Sequence, residues 1–363
     1  MNIRLHKFKS IRTKLTFWFL LLTLIPLLTV LIITYFQRAN AIEHRTIVKL
    51  TTISELKVQQ VVTWLKEINS DMKTLSTDAD IVNIGHAINS SQSSKEAKQI
   101  INRIELHLSS YLNNYESYNE LFIINPHTSL VVASTNKTSV GKNKSEYYYF
   151  TGPMKTGELT ITDVYYSKSI SDYSMTFSIP IYNKESSNKI IEAILVARID
   201  LNNSLYNILL NRIGLGETGE ALIVNSDVIT LNQLKWHGNA PLNLQINAEP
   251  AIRAASGETG IIKSKDYRGQ EVLAAYTYIP QTKWGFVVKQ DTSELKAPIN
   301  QMIISFILIF IIATLIITLT AITIANSIAK TIVGMNEVAR SMRGGNYKIR
   351  NIISSNDELG SLA

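Results

Sequence analysis

Two uncharged runs near opposite ends of the chain constrain it more than any other feature. No charged residue lies between Leu15 and Gln37, and the stretch LTFWFLLLTLIPLLTVLIITYF is 22 residues long. At about 1.5 Å of helical rise per residue, it covers roughly 30 Å of hydrocarbon. A second run without charge separates Ala297 from Lys330 and centres on MIISFILIFIIATLIITLTAITIA. Both read as transmembrane helices, at 15–36 and 299–325. Pro26 lies inside the first, where neighbouring helices or hydroxyls satisfy the freed carbonyl. Ala39-Asn40-Ala41 offers a cleavage-like site, but the apolar run is longer than the core of about 7 to 15 residues of a secretory signal, which favours an uncleaved anchor.

Charge sets the orientation. Arg4, Lys7, Lys9, Arg12 and Lys14 precede the first span, and Lys330, Arg340, Arg343, Lys348 and Arg350 follow the second. Both ends are therefore expected in the cytoplasm and the segment between the spans outside it. The remaining 26 basic residues are balanced by 26 acidic ones within 37–298, so the net charge of +7 is a topology signal and implies no nucleic-acid partner. Cysteine is absent, which excludes disulfides, thiolate metal sites and a cysteine nucleophile among these residues.

The outer segment opens with a helical pattern. Val61, Leu65, Ile68, Met72 and Leu75 recur at spacings of four and three, the seam of a helix packed along a partner. A second helix is expected after the capping-box pair Ser93 and Glu96. The period then changes to two. ELFIIN, SLVVAS, ELTITDVYYS, SMTFSIPIYN and KIIEAILVARID read as strands, and a helix over about Leu201–Arg212 leads to five more: EALIVNS, VITLNQ, GIIKSKDY, QEVLAAYTYI and WGFVVKQ. A short helix is expected near Glu249–Ser256, and Val140–Gly157 reads as an irregular connection. The fold class is α+β: two transmembrane helices flank a long helix that carries tandem modules, followed by a coiled-coil segment.

Several motifs invite a stronger reading and do not sustain it. Gly214-Leu215-Gly216-Glu217-Thr218-Gly219 matches G-x-G-x-x-G, but a helix is expected before it and a strand after it, the reverse of a dinucleotide site. The same GETG recurs at Gly257–Gly260, again before a strand, so turn formation explains both. The six histidines, at 6, 44, 86, 107, 127 and 237, show no metal-binding spacing, and no nucleophile elbow is present. No cofactor, metal or enzymatic role follows. The tyrosines are a better lead. Tyr147, Tyr148 and Tyr149 precede Asp163, Tyr165 and Ser167, the last three alternating as on one strand face, and aromatic bodies with a few polar groups suit a small-molecule pocket.

The outer segment resembles the double Cache family of extracytoplasmic sensors, in which a long helix supports two PAS-like modules, and the resemblance implies a bacterial cell (inner) membrane as the location. TDVYYSKSISDYSMTFSIPIYN is similar to that family's strand-turn-strand passage, and GLGETGEALIVNSD with YRGQEVLAAYTYIPQTKWGFVVKQD to its membrane-proximal module. The resemblance implies a distal module at about 115–200, a proximal one at about 213–291, and a ligand in the distal module, at Tyr149, Asp163, Tyr165 and Ser167. The family's amino-acid binders carry an Arg before a Trp-Tyr pair and an Asp on a later strand. Here those places hold KSEYYYF and Ser167, so that signature is not met.

Past the second span, Ile328, Ile332, Met335, Ala339 and Met342 form another seam, ended by Gly344-Gly345 and followed by a connector and Asp357-Glu358-Leu359-Gly360. This order resembles a HAMP domain, with Thr331 where that family commonly has Pro. HAMP bundles take two helices from each of two chains, which implies a homodimer. Its second helix is only begun, so 326–363 is expected to be an incomplete HAMP domain whose output domain, a histidine kinase, cyclic-dinucleotide enzyme or chemotaxis signalling domain, is missing. The expected division is 1–14 in the cytoplasm, 15–36 in the membrane, 37–298 outside, 299–325 in the membrane and 326–363 inside. The expected partners are a small ligand, the lipid bilayer, a second copy and cytoplasmic signalling proteins. A membrane-anchored extracytoplasmic enzyme and a structural coiled-coil protein are the alternatives: the first lacks a visible catalytic constellation, and the second does not need the strands.

Overall fold

The structure, a computed structural model, describes residues 10–84, 94–183 and 190–346. The Asp357–Gly360 motif, the capping residue Ser93, and residues 1–9 lie outside them. The chain divides into two compact units, Met1–Glu43 with Leu295–Ala363, and His44–Glu294.

In the first unit the observed elements are the beginning of helix α1 (Ile11–Thr77) and most of the last helix, α7 (Thr292–Arg343). These two helices are long and apolar enough to cross a membrane. Their threonines turn inward on the backbone: Thr29 Oγ1 donates to Ile25 O and Thr34 Oγ1 to Val30 O, which satisfies each hydroxyl without a partner helix.

The second unit holds the rest of α1 and two antiparallel sheets. After α2 (Ala79–Val82) and α3 (Ser94–Asn114) come β1 (Tyr118–Ile124), β2 (Val131–Ser134), α4 (Tyr148–Thr156), β3 (Thr160–Ile161), β4 (Tyr165–Ser167), β5 (Asp172–Tyr182) and β6 (Ile191–Asp200). These strands form one sheet in the order β2-β1-β6-β5-β3, with β4 also paired to β5. The helix α5 (Leu205–Leu210) leads to β7 (Glu220–Val224), α6 (Glu249–Ala255), β8 (Gly260–Lys265), β9 (Glu271–Ile279) and β10 (Trp284–Asp291), in the order β7-β10-β9-β8. In both sheets the first strand pairs with the last, Leu121 opposite Ala197 and Ala221 opposite Val288.

Three expectations change in detail. VITLNQ forms no strand; it contributes isolated bridges, Thr230 to Val224 and Ile229 to Gln245. ELTITDVYYS breaks into two short strands, β3 and β4, with Asp163 between them and on neither. Val140–Gly157 contains α4, whose Tyr149, Phe150, Gly152 and Pro153 are buried. Helical packing of this segment is permitted by Gly152, since a Cβ there would lie 2.6 Å from the Thr160 methyl carbon.

The first sheet is covered on both faces, so its central strands are buried along nearly their whole length. One face presents Leu121, Ala197 and Phe177, and Trp64 of α1 meets Phe177 edge-on with ring centroids 6.4 Å apart. Burial of such aliphatic and aromatic side chains, at about 25 cal/mol per Å² of apolar area, is what fixes α1 to the sheet. The other face carries Phe122, Ile124, Ile194 and Val196 beneath Tyr149 and Phe150. It also carries polar residues: Ser174, Thr176, Ser178, Glu120 and Arg198 are all buried.

Candidate functional site

Polar residues on a covered sheet face mark where this fold does something other than pack. Glu120 of β1 and Arg198 of β6 stand in register across the ladder. Arg198 Nη1 donates to Glu120 Oε2, and Glu120 Oε1 accepts a 2.7 Å bond from Ser134 Oγ. Arg198 is 2% exposed, and its guanidinium lies 5.6 Å from the centre of the Phe122 ring. Its Nε has no hydrogen-bond partner among the described residues.

Tyr165 of β4 approaches the same guanidinium closely enough to interact with it electrostatically. Its buried Oη makes no well-formed hydrogen bond among the described residues, although it lies near enough to Arg198 for the two polar groups to act on each other directly. Burial pushes the Tyr165 hydroxyl up from its ordinary value, the positive Arg198 opposing. Tyr149, 2% exposed, stands beside them: it meets Phe122 edge-on at 5.9 Å and stacks on Tyr147 at 5.0 Å. Burial raises its hydroxyl as well, with Tyr165 the next contributor.

Lys144 completes the cluster. The loop before it is pinned by backbone bonds, Val131 N to Lys142 O and Lys144 N to Ser129 O at 2.8 Å. The side chain, 7% exposed, lies over Tyr147 with Nζ 5.2 Å from the ring centre, and among the described residues Nζ makes no hydrogen bond or ion pair. Burial lowers its pKa below the usual lysine value, and nearby Arg198 lowers it further against the pull of Glu120.

Of the four residues expected from sequence, the structure brings together Tyr149 and Tyr165. Asp163 turns to the second sheet, where its Oδ1 accepts a 2.9 Å bond from Trp284 Nε1 as well as one from its neighbour Val164 N. Ser167 Oγ lies 3.0 Å from Ser169 Oγ at the opposite end of β4, across from Asp172. Sequence reasoning missed Arg198, Glu120 and Lys144. A signal was present: KIIEAILVARID carries an arginine inside an apolar run, where an unpaired charge is not tolerated.

The second sheet has its own buried charges, and these are matched. Lys289 Nζ lies 2.5 Å from Asp266 and 3.0 Å from Glu220, Arg268 bridges Asp266 and Asp291, and Tyr267 Oη donates to Glu220. Burial alone would raise the Asp266 carboxyl, but Lys289 and Arg268 outweigh it and hold it below the usual carboxylate value. The G-x-G-x-x-G loop is likewise occupied from within: Glu217 N and Thr218 N donate to the Glu294 carboxylate at 3.0 and 2.8 Å. Burial would raise the Glu294 carboxyl, but the Thr218 hydroxyl and then the bonded loop amides hold it below its ordinary value.

The Cache domain family matches residues 38–299, most of the chain. The chain belongs to that family. Among solved structures, the ligand-binding domain of the Campylobacter jejuni chemoreceptor Tlp3, in complex with 4-methylisoleucine, is similar at TM-score 0.54 and 16% identity, covering 71% of this chain and 95% of that one. The sensory domain of the same chemoreceptor with isoleucine bound gives 0.52 and 15%, covering 71% and 97%. The extracellular domain of rpHK1S-Z16, a proposed histidine kinase, gives 0.53 and 13%, covering 70% and 98%. At such identities the Cache fold is what these proteins share with the chain. No curated protein matches it by sequence.

Proposed function

We propose that this chain is the input part of a homodimeric bacterial membrane receptor, in which the outer Cache domain binds a small molecule and α7 relays the event inward. The observation that carries the reading is the cluster of Arg198, Tyr165 and Lys144 beneath Tyr149, in which Arg198 Nε and Tyr165 Oη are buried without hydrogen-bond partners among the described residues. Leaving buried donors unsatisfied costs about 1–3 kcal/mol each, and that cost is relieved when an acceptor arrives. A ligand shifts a receptor only by binding two packed arrangements unequally, and β10 runs without a break into α7, so the second sheet is the natural intermediary.

The runs at 15–36 and 299–325 cross the membrane in this reading, both termini are cytoplasmic, and the seam from Ile328 to Met342 pairs with that of a second copy as part of a HAMP domain. The Tlp3 domain has been solved with 4-methylisoleucine and with isoleucine, which supports a small-molecule ligand here.

The deciding experiment is a thermal-shift screen of the protein in nanodiscs against carboxylates, amino acids, amines, sugars and purines. A binder should raise the melting temperature by mass action, worth about 2.7 kcal/mol at a hundred times its dissociation constant. Tyr149→Ala should abolish the shift. A screen in which no class stabilises the protein defeats the reading.

A further inference from the structure

We propose that the distal site takes a small carboxylate lacking an α-ammonium group, its oxygens accepting from Arg198 Nε, Tyr165 Oη and Lys144 Nζ. The inference rests on the ligand-binding reading above and names the class of compound that this site would hold.

Donors outnumber free acceptors in the cluster. Arg198 Nε and Tyr165 Oη are buried without partners among the described residues, and Lys144 Nζ has the Tyr147 ring beside it. All three can donate; two are cationic, and of the three only the Tyr165 hydroxyl can also accept. What satisfies them together is an anion with two or more acceptor oxygens, and a charge-assisted bond to a carboxylate is the strong case.

The acids decide the second half. An α-ammonium group needs a carboxylate or several carbonyls to replace its water. Glu120 is the acid in the cluster; its charge is already matched by Arg198, and each of its oxygens already accepts a bond, one from Arg198 and one from Ser134. Asp163 is turned away to Trp284. An amino acid would therefore bring a third cation to Arg198 and Lys144 with no free acid to meet it, whereas the corresponding hydroxy acid would bring none. The rings of Tyr147, Tyr149 and Phe122 supply an apolar wall beside the donors, suited to the carbon skeleton of such an acid.

Matched pairs test this directly: L-lactate with L-alanine, 2-hydroxyisocaproate with L-leucine, and 3-phenyllactate with L-phenylalanine. Each would be titrated calorimetrically into the full chain in nanodiscs. The hydroxy acid of at least one pair should bind at least tenfold tighter than its amino acid, and Lys144→Gln and Tyr165→Phe should each weaken it about tenfold. An amino acid binding as tightly as its hydroxy partner, or no carboxylate binding at all, overturns the inference. In either case a hit of another class in the wider screen, lost in Tyr149→Ala, would leave the receptor reading intact. Because the pairs are compared on the unaltered protein, the comparison decides the matter even if a variant fails to fold.

Discussion

Trp284 and Asp163 lie 121 residues apart in the chain and are joined by a 2.9 Å hydrogen bond from indole Nε1 to carboxylate Oδ1. The bond ties the first residue of β10 to the link between β3 and β4, one sheet to the other. Partial desolvation where it meets Trp284 raises the Asp163 carboxyl above its ordinary value although the residue as a whole is exposed, so the folded state binds the proton somewhat more tightly than the unfolded chain. The charged carboxylate therefore subtracts stability above that raised value, and the subtraction disappears as pH falls toward the ordinary value. Asp163→Asn retains an acceptor for the indole and should be no less stable than the parent at neutral pH. Asp163→Ala leaves a buried N–H unpaired and should cost about 1–3 kcal/mol in urea denaturation. Equal stabilities for the two variants would show that the bond holds nothing.

Glu120 and Arg198 form a buried ion pair, and removing one partner leaves the other charged in a low-dielectric setting. Glu120→Ala should lose about 3–5 kcal/mol, and adding Arg198→Met should restore a large part of it. A double-mutant cycle by chemical denaturation reads this out. Strict additivity of the two changes would contradict the pairing.

Asp266 has the opposite sign from Asp163. Its carboxyl is held below the ordinary value by Lys289 and Arg268, so its contribution is fully present above the ordinary carboxylate pKa and is lost as pH falls through the depressed one. Stability followed from pH 7 downward should stay level on this account until below about pH 4. Asp266→Asn should flatten the acid limb and lower stability by about 3–5 kcal/mol at neutral pH. An unchanged acid limb in that variant would remove Asp266 from the account.

Within the two GETG repeats, the glycine that closes the first and the glycine that opens the second resist substitution for different reasons. A Cβ at Gly219 would meet the Leu215 carbonyl oxygen at 2.0 Å, a backbone atom that cannot step aside. At Gly257 a Cβ meets nothing within 4 Å, and only its φ of +93° resists substitution. Gly257→Ala should cost about 1–3 kcal/mol from backbone strain, and Gly219→Ala distinctly more. On the order of 2–4 °C of melting temperature per kcal/mol is expected for a domain of this size, so a thermal scan separates them. The reverse order would mean that the loop is looser than its packing.

How far the sequence could be read follows from which interactions are local. Strands β1, β2, β5–β7, β9 and β10 announce themselves by β-branched and aromatic residues, and α1 and α7 by long apolar runs. VITLNQ has the same composition and makes only bridges, because strand formation also needs a partner of matching length. Tyr149 and Tyr165 were reachable from local pattern and family resemblance. The Glu120–Arg198 pair was not, since nothing in either segment states that β1 lies beside β6. Asp163 shows the converse: it alternates with Tyr165 and Ser167 in sequence, yet it precedes β4 and points to Trp284.

That first strands pair with last ones has a consequence for how the protein is made. Leu121 waits for Ala197, and Ala221 for Val288, before either ladder can close. As the ribosome delivers the chain, the early part of each sheet emerges without its central neighbour, exposing unpaired strand edges that can mispair. The final strand of the second sheet is followed at once by the apolar run of α7, so completion of that sheet and arrival of the most hydrophobic segment coincide. Ladders closed over such distances are slow to form. Refolding of this protein should accordingly be slow and chaperone-sensitive.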